Sequence, residues 1–138
     1  FSARKIIPDK ARVKSLIETS KMRLDFTMSK DKLGDEFINF IFEQYYSSII
    51  ELIHAIAIID GFNISNHVCI GFYLKTILKK EDLFIIFDDL RFKRNSLVYY
   101  GKAMNIETAK KAVNNSNFMI QELNEILKNR EYSIRDYQ

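Results

Sequence analysis

A chain of 138 residues, 47% of them hydrophobic, is long enough for one domain with its own core and too short for two of ordinary size. Its net charge of +3 makes bulk charge a weak basis for nucleic-acid binding and turns attention to local clusters. A single cysteine, Cys69, excludes an intrachain disulfide and favours a reducing, cytoplasmic setting; with only two histidines beside it, no Cys/His cluster exists for zinc, and neither a metal nor a cofactor is predicted.

In chain order, residues 1–8 read as an N-terminal extension, and Pro8 suits the first turn of a helix, where its missing N–H costs nothing. Val13, Leu16, Ile17, Ser20 and Leu24 then recur at helical spacing, which predicts helix one over about Asp9 to Met28. Helix two is predicted from about Asp31 or Lys32 to Asp60, stopped by Gly61 in a left-handed cap. Glu43, Gln44, Glu51 and His54 interrupt it, so it reads as a core helix and not as a membrane span. It is apolar nearly all round, and a second subunit is expected to cover part of it.

Ser65 or Asn66 caps helix three, predicted to run to about Leu78. The Lys79-Lys80 pair marks a turn, and Glu81-Asp82 place acidic charge at the start of helix four, which ends at Gly101. Asn105 caps helix five, whose apolar side is supplied by Ala109, Ala112, Val113, Phe118 (or Ser116), Ile120, Leu123 and Leu127 as far as about Lys128. Residues 129–138 have no clear period and read as a C-terminal tail. No strand pattern is seen. The fold class predicted is therefore all-α, an antiparallel up-down bundle of four to five helices formed by a single domain over residues 9–128.

Helix four carries the stretch of most interest. With Leu83 at zero on a helical wheel, Ile86, Phe87, Leu90, Leu97 and Val98 fall within about 60° of it, and Arg94 lands at about 20°. A guanidinium on the core-facing stripe cannot be deprotonated and needs a partner: a buried carboxylate, a second subunit or the phosphate of a ligand. Glu43 or Glu51 of helix two would serve as the carboxylate. Residues 91–111 carry Arg91, Lys93, Arg94, Lys102, Lys110 and Lys111 against Glu107 alone, so a basic pole surrounds this cation. Asp88, Arg91, Asn95 and Tyr99 follow one another along one side of the same helix, either as a site or as a solvated face with one Asp88–Arg91 ion pair. In a regular helix Arg94 and Tyr99 point about 140° apart, so one cleft holds both only through the reach of Arg94, fraying before Gly101, or two chains. His54 and His67 read first as a core histidine and a residue of the helix-three cap.

Asp60-Gly61-Phe62 closing the long helix, Asn66-His67 opening the third, and Leu90 to Gly101 before a final helix together resemble the HEPN domain (higher eukaryotes and prokaryotes nucleotide-binding) over nearly all of residues 9–128. The hallmark of that family is an arginine, often followed by a polar residue, with a histidine four to six residues further on. Arg94 and Asn95 match the first two positions, and Tyr99, or Tyr100 with a longer spacer, stands at the third. The resemblance implies a homodimer whose cleft surrounds Arg94 and Asn95; the helix-four stripe adds Arg91 and Asp88, the longer spacer Tyr100, and the basic pole Lys102 as further candidate binding residues. It also implies a nucleotide or RNA ligand, and a small nucleotidyltransferase as partner in a toxin–antitoxin-like pair. Many members are metal-independent ribonucleases, in which the arginine holds a phosphate and the histidine moves protons. A phenol, with its reference pKa near 10, donates a hydrogen bond but is a poor base at neutral pH. The departure at Tyr99 therefore favours a binding or regulatory module. An active endoribonuclease that uses Tyr99 or a displaced histidine is the alternative, and a purely structural dimerisation module a further one.

Overall fold

The computed structural model describes residues 3–30 and 32–130. Five α-helices dominate it: α1 (Lys10–Met28), α2 (Ile38–Ile59), α3 (His67–Phe72), α4 (Glu81–Tyr100) and α5 (Ile106–Asn129). The all-α bundle read from periodicity is the fold.

The axis is α2. Phe42, Tyr46, Ile49, Leu52, Ile53 and Ile56 are each at most 1% exposed, and burying a side chain of this size is worth roughly 1.5–3 kcal/mol. α1 covers one flank with Val13 and Ile17; α5 covers another with Ala112, Met119, Leu123 and Leu127. The chain's own helices enclose most of the α2 surface for which a second subunit was expected. Only its first turns leave large apolar side chains open, at Phe37 and Phe40.

Direction follows from three contacts. Arg12, early in α1, meets Asn63 just beyond α2; Asn39, early in α2, holds Met104 just before α5; Arg130, after α5, meets Asp60 after α2. Hence α1 and α4 run against α2, and α5 runs along it.

The helix ends obey local chemistry. Asp9, Asn66 and Asn105 each accept a first-turn backbone N–H, from Arg12, Cys69 and Thr108, at 3.1, 2.9 and 2.9 Å. Gly61 and Gly101 adopt φ of +88° and +61°, which only glycine enters without strain, and so stop α2 and α4.

Three boundaries differ from expectation. α2 begins at Ile38, not near Lys32, after a 3₁₀ turn at Asp35–Phe37; Gly34 interrupts the earlier helical pattern, and Asp31 lies outside the described residues. α3 stops at Phe72, and the chain continues as a π-helical turn, Tyr73–Ile77, in which the Leu78 N–H reaches back to the Tyr73 carbonyl at 3.0 Å. That wider turn brings both Tyr73 and Leu74 into the core at 0% exposure. A two-stranded antiparallel ribbon also forms, β1 (Ala3–Lys5) against β2 (Phe62–Ile64) with Arg4 opposite Asn63. Three-residue strands are too short to show alternation in sequence. The ribbon ties part of the segment read as an N-terminal extension to the domain. At the other end α5 reaches Asn129 and Arg130 caps it, two residues into the stretch read as a tail; 131–138 lie outside the described residues.

No described helix is long and apolar enough to cross a membrane, and no group of His, Cys, Asp or Glu among the described residues is arranged to hold a metal ion.

Candidate functional site

α4 changes character halfway. Leu83, Phe87 and Leu90 are buried, but Val98, Tyr99 and Tyr100 are 39%, 67% and 83% exposed. The core-facing stripe therefore leaves the core near Arg94, which is part-buried at the rim. There α4 and α3 bound an open groove of about 670 Å³: Arg91, Arg94, Asn95 and Tyr99 form one wall, and Asn66, His67, Val68, Cys69 and Phe72 the other. Gly71 lets the helices approach this closely, since a Cβ there would meet the Phe84 ring at 3.2 Å.

Neither Glu43 nor Glu51 pairs with Arg94. Glu51 is taken by Arg23, whose Nε lies 2.8 Å from Oε1, and among the described residues no carboxylate neutralises Arg94. Aromatic faces hold it instead: its guanidinium carbon lies 5.6 Å from the Tyr46 ring centroid and 5.5 Å from that of Tyr99. Its Nη1 donates to the Asn95 side-chain oxygen at 3.3 Å and to the Tyr99 hydroxyl at 3.4 Å, both long bonds. The 140° separation along the helix is bridged by the arginine's reach. Arg91, by contrast, is engaged with Asp88 Oδ1 through Nε at 3.2 Å and Nη2 at 2.9 Å.

Behind Arg94, Tyr46 of α2 stacks on Phe87 at 5.9 Å, and its hydroxyl lies 3.0 Å from His67 Nδ1. Burial pushes the Tyr46 phenol well above its ordinary value, with Arg94 acting in the opposite sense, so its proton stays on oxygen. His67 is the one hydrogen-bond partner of that hydroxyl among the described residues, and the bond is satisfied when the phenol donates to Nδ1. A neutral His67 then carries its own proton on Nε2. Its pKa is held below the usual histidine range by burial first, then by the Arg94 and Arg91 charges.

Of the residues singled out in the sequence, Arg91, Arg94, Asn95 and Tyr99 line one groove, and Asp88 touches it through Arg91. Tyr100 points to solvent. Lys102 lines a separate hollow with Phe92, Lys93, Ser96 and Met104, and Lys110 pairs with Asp35 at 3.5 Å; the basic pole is spread over more than one surface. Tyr46 enters the site unannounced, and His67 reads first in the sequence as part of the helix-three cap, with a displaced histidine only as the alternative. Asn66 as a cap places His67 in the first turn of α3, but no spacing relates that turn to α4.

Compared with known protein families, with curated proteins and with solved structures, the chain matches none.

Proposed function

We propose that the protein binds a nucleotide or RNA phosphate in the groove between α3 and α4. The observation that carries this reading is Arg94: a cation at the core's rim, with no carboxylate partner among the described residues, resting on two π-faces that leave Nε and Nη2 for an anion. Phosphate at Arg94 and a base against the exposed ring of Tyr99 or Phe72 would use the groove's mixed lining. The resemblance of Leu90–Gly101 to the HEPN motif points the same way. Calorimetric titration with a nucleoside monophosphate tests it: Arg94→Ala should weaken binding at least about ten-fold, the loss of one charge-assisted bond or more, with the helical circular dichroism unchanged. Equal affinity in the variant rejects the reading.

A regulatory or binding role is favoured over cleavage because a neutral His67 that accepts from Tyr46 presents a proton where a general base needs a lone pair. Cleavage is the second reading, since His67 lies beside Arg94 and would need only the other tautomer. RNA cut by wild type and left intact by His67→Gln would establish it.

Homodimerisation through α4 belongs to the same proposal. Ile85, Phe92 and Tyr99 recur every seven residues and are 62%, 70% and 67% exposed. Glu81, Asp82, Asp88 and Asp89 in the first half of α4 meet Arg91, Lys93 and Arg94 of the second half when two copies run antiparallel. Sedimentation should give a dimer that Phe92→Glu dissociates. Partnership with a small nucleotidyltransferase rests on the resemblance alone, and co-purification of the two tests it.

A further inference from the structure

Arg94 and His67 also line a second hollow, of about 240 Å³. Its other walls are Arg23 of α1 and Tyr46, Ser47, Ile50 and Glu51 of α2. Arg94 thus stands between two compartments of different chemistry. On the α4 side lie cations and exposed aromatic rings. On the α1–α2 side the one guanidinium is already spent: Arg23 gives Nε and Nη2 to Glu51, at 2.8 and 3.5 Å, and Nη1 to Gln44 at 2.9 Å. What remains on the α1 and α2 walls accepts hydrogen bonds. The Glu51 carboxylate has about four lone-pair sites and two donors on it from Arg23, one of them long. The Ser47 hydroxyl gives its proton to the Glu43 carbonyl at 3.1 Å and so faces other groups as an acceptor.

We propose that this hollow is a second subsite, taking an uncharged hydrogen-bond-donating group, a ribose hydroxyl, joined to the phosphate held at Arg94. The inference rests on the reading of Arg94 as a phosphate-binding residue and adds to it the class of ligand: one phosphate flanked on both sides by uncharged moieties. A chain of phosphates is disfavoured, because the next one would meet the Glu51 carboxylate, which repels it. A hollow smaller than the usual ligand pocket suits one ring system.

The test is calorimetric titration of the full chain with uridylyl-uridine, uridine 3′-monophosphate and uridine triphosphate. Uridylyl-uridine should bind about ten-fold more tightly than the monophosphate, and the triphosphate no more tightly than the monophosphate despite its larger charge. Ser47→Leu fills the hollow without touching the Arg23–Glu51 pair and should bring uridylyl-uridine down to the monophosphate. Glu51→Gln should weaken uridylyl-uridine and strengthen the triphosphate. Thymidylyl-thymidine, which lacks the 2′-hydroxyl, should lose the gain. If the triphosphate binds best, or Ser47→Leu changes nothing, while Arg94→Ala still abolishes all binding, the subsite falls and the phosphate site stands. If Arg94→Ala leaves every affinity unchanged, the phosphate site itself falls and the subsite with it.

Discussion

A guanidinium already in an ion pair must give up its partner before it can take an anion, whereas one resting on aromatic rings keeps most of its donors. Arg94 is of the second kind and Arg91 of the first, so a ligand meets Arg94 at less cost. His67 sets the pH dependence. Its charged form is disfavoured by burial and by Arg94 and Arg91 from α4, with Tyr46 the partner from α2; His54 is lowered in the same sense by burial, then by Arg12 and His67. Both folded values lie below the unfolded value of about 6.5, so the unfolded chain takes up protons first on acidification. Stability from these two groups is therefore complete above pH about 6.5 and lost as pH falls toward the folded values. Melting temperature without ligand should drop as pH falls below about 6.5. An anion in the groove favours protonated His67, so affinity for a nucleoside monophosphate should rise over the same interval. In His67→Gln that rise should flatten, while His54 keeps its part of the stability slope.

The elements differ in how readily sequence discloses them. Helix ends are local events: Asp9, Asn66 and Asn105 cap with their own side chains, and Gly61 and Gly101 stop helices by their own φ, so those boundaries were legible. The placement of Arg94 on the core-facing stripe was legible for the same reason, being a matter of angle along one helix. What α4 meets there was not. The Tyr46 ring, His67 and the shared second hollow come from α2 and α3, at separations that periodicity does not encode. The short ribbon and the π-helical turn escaped because neither is long enough to set a period. Between α4 and α5, Asn39 acts as a strap: its Nδ2 donates to the Met104 carbonyl at 3.0 Å and its Oδ1 accepts the Met104 N–H at 2.9 Å. Asn39→Ala removes both bonds, and because the site is only part-buried, water replaces some of them. The expected cost is about 1–2 kcal/mol in urea denaturation. Nucleotide affinity should be unchanged, since neither Asn39 nor Met104 lines either hollow at Arg94.

At the scale of the whole molecule, four segments converge beyond the C-terminal end of α2. Asp60 Oδ1 accepts from Arg130 Nε at 2.7 Å; Oδ2 accepts from Arg130 Nη2 at 2.9 Å and from the Tyr73 hydroxyl at 2.8 Å. Phe62 of β2 packs on the Tyr73 ring at 6.1 Å. One carboxylate thereby joins the cap of α2, the ribbon, the π-helical turn and the residue after α5. The hydrogen bond to Asp60 pushes Arg130 up, and burial, then Asp60, pushes Tyr73 up, so the proton arrangement is fixed at neutral pH. The pair's side chains are 27% and 23% exposed, which lowers its worth below that of a dry pair. Asp60→Ala should cost about 2–3 kcal/mol in chemical denaturation, because it strands a bidentate guanidinium and a buried phenol together. Tyr73→Phe should cost about 1 kcal/mol, since only the hydroxyl is lost. A cycle pairing Asp60→Ala with Arg130→Met should show coupling of about 1–2 kcal/mol, the signature of direct contact. Arg94 binding should survive in all of them, the clamp lying apart from either hollow. If Asp60→Ala and Arg130→Met are strictly additive, the closing turn of α5 contributes nothing to the bundle's cohesion, and the domain's working edge moves back to the last buried residue of that helix, Leu127.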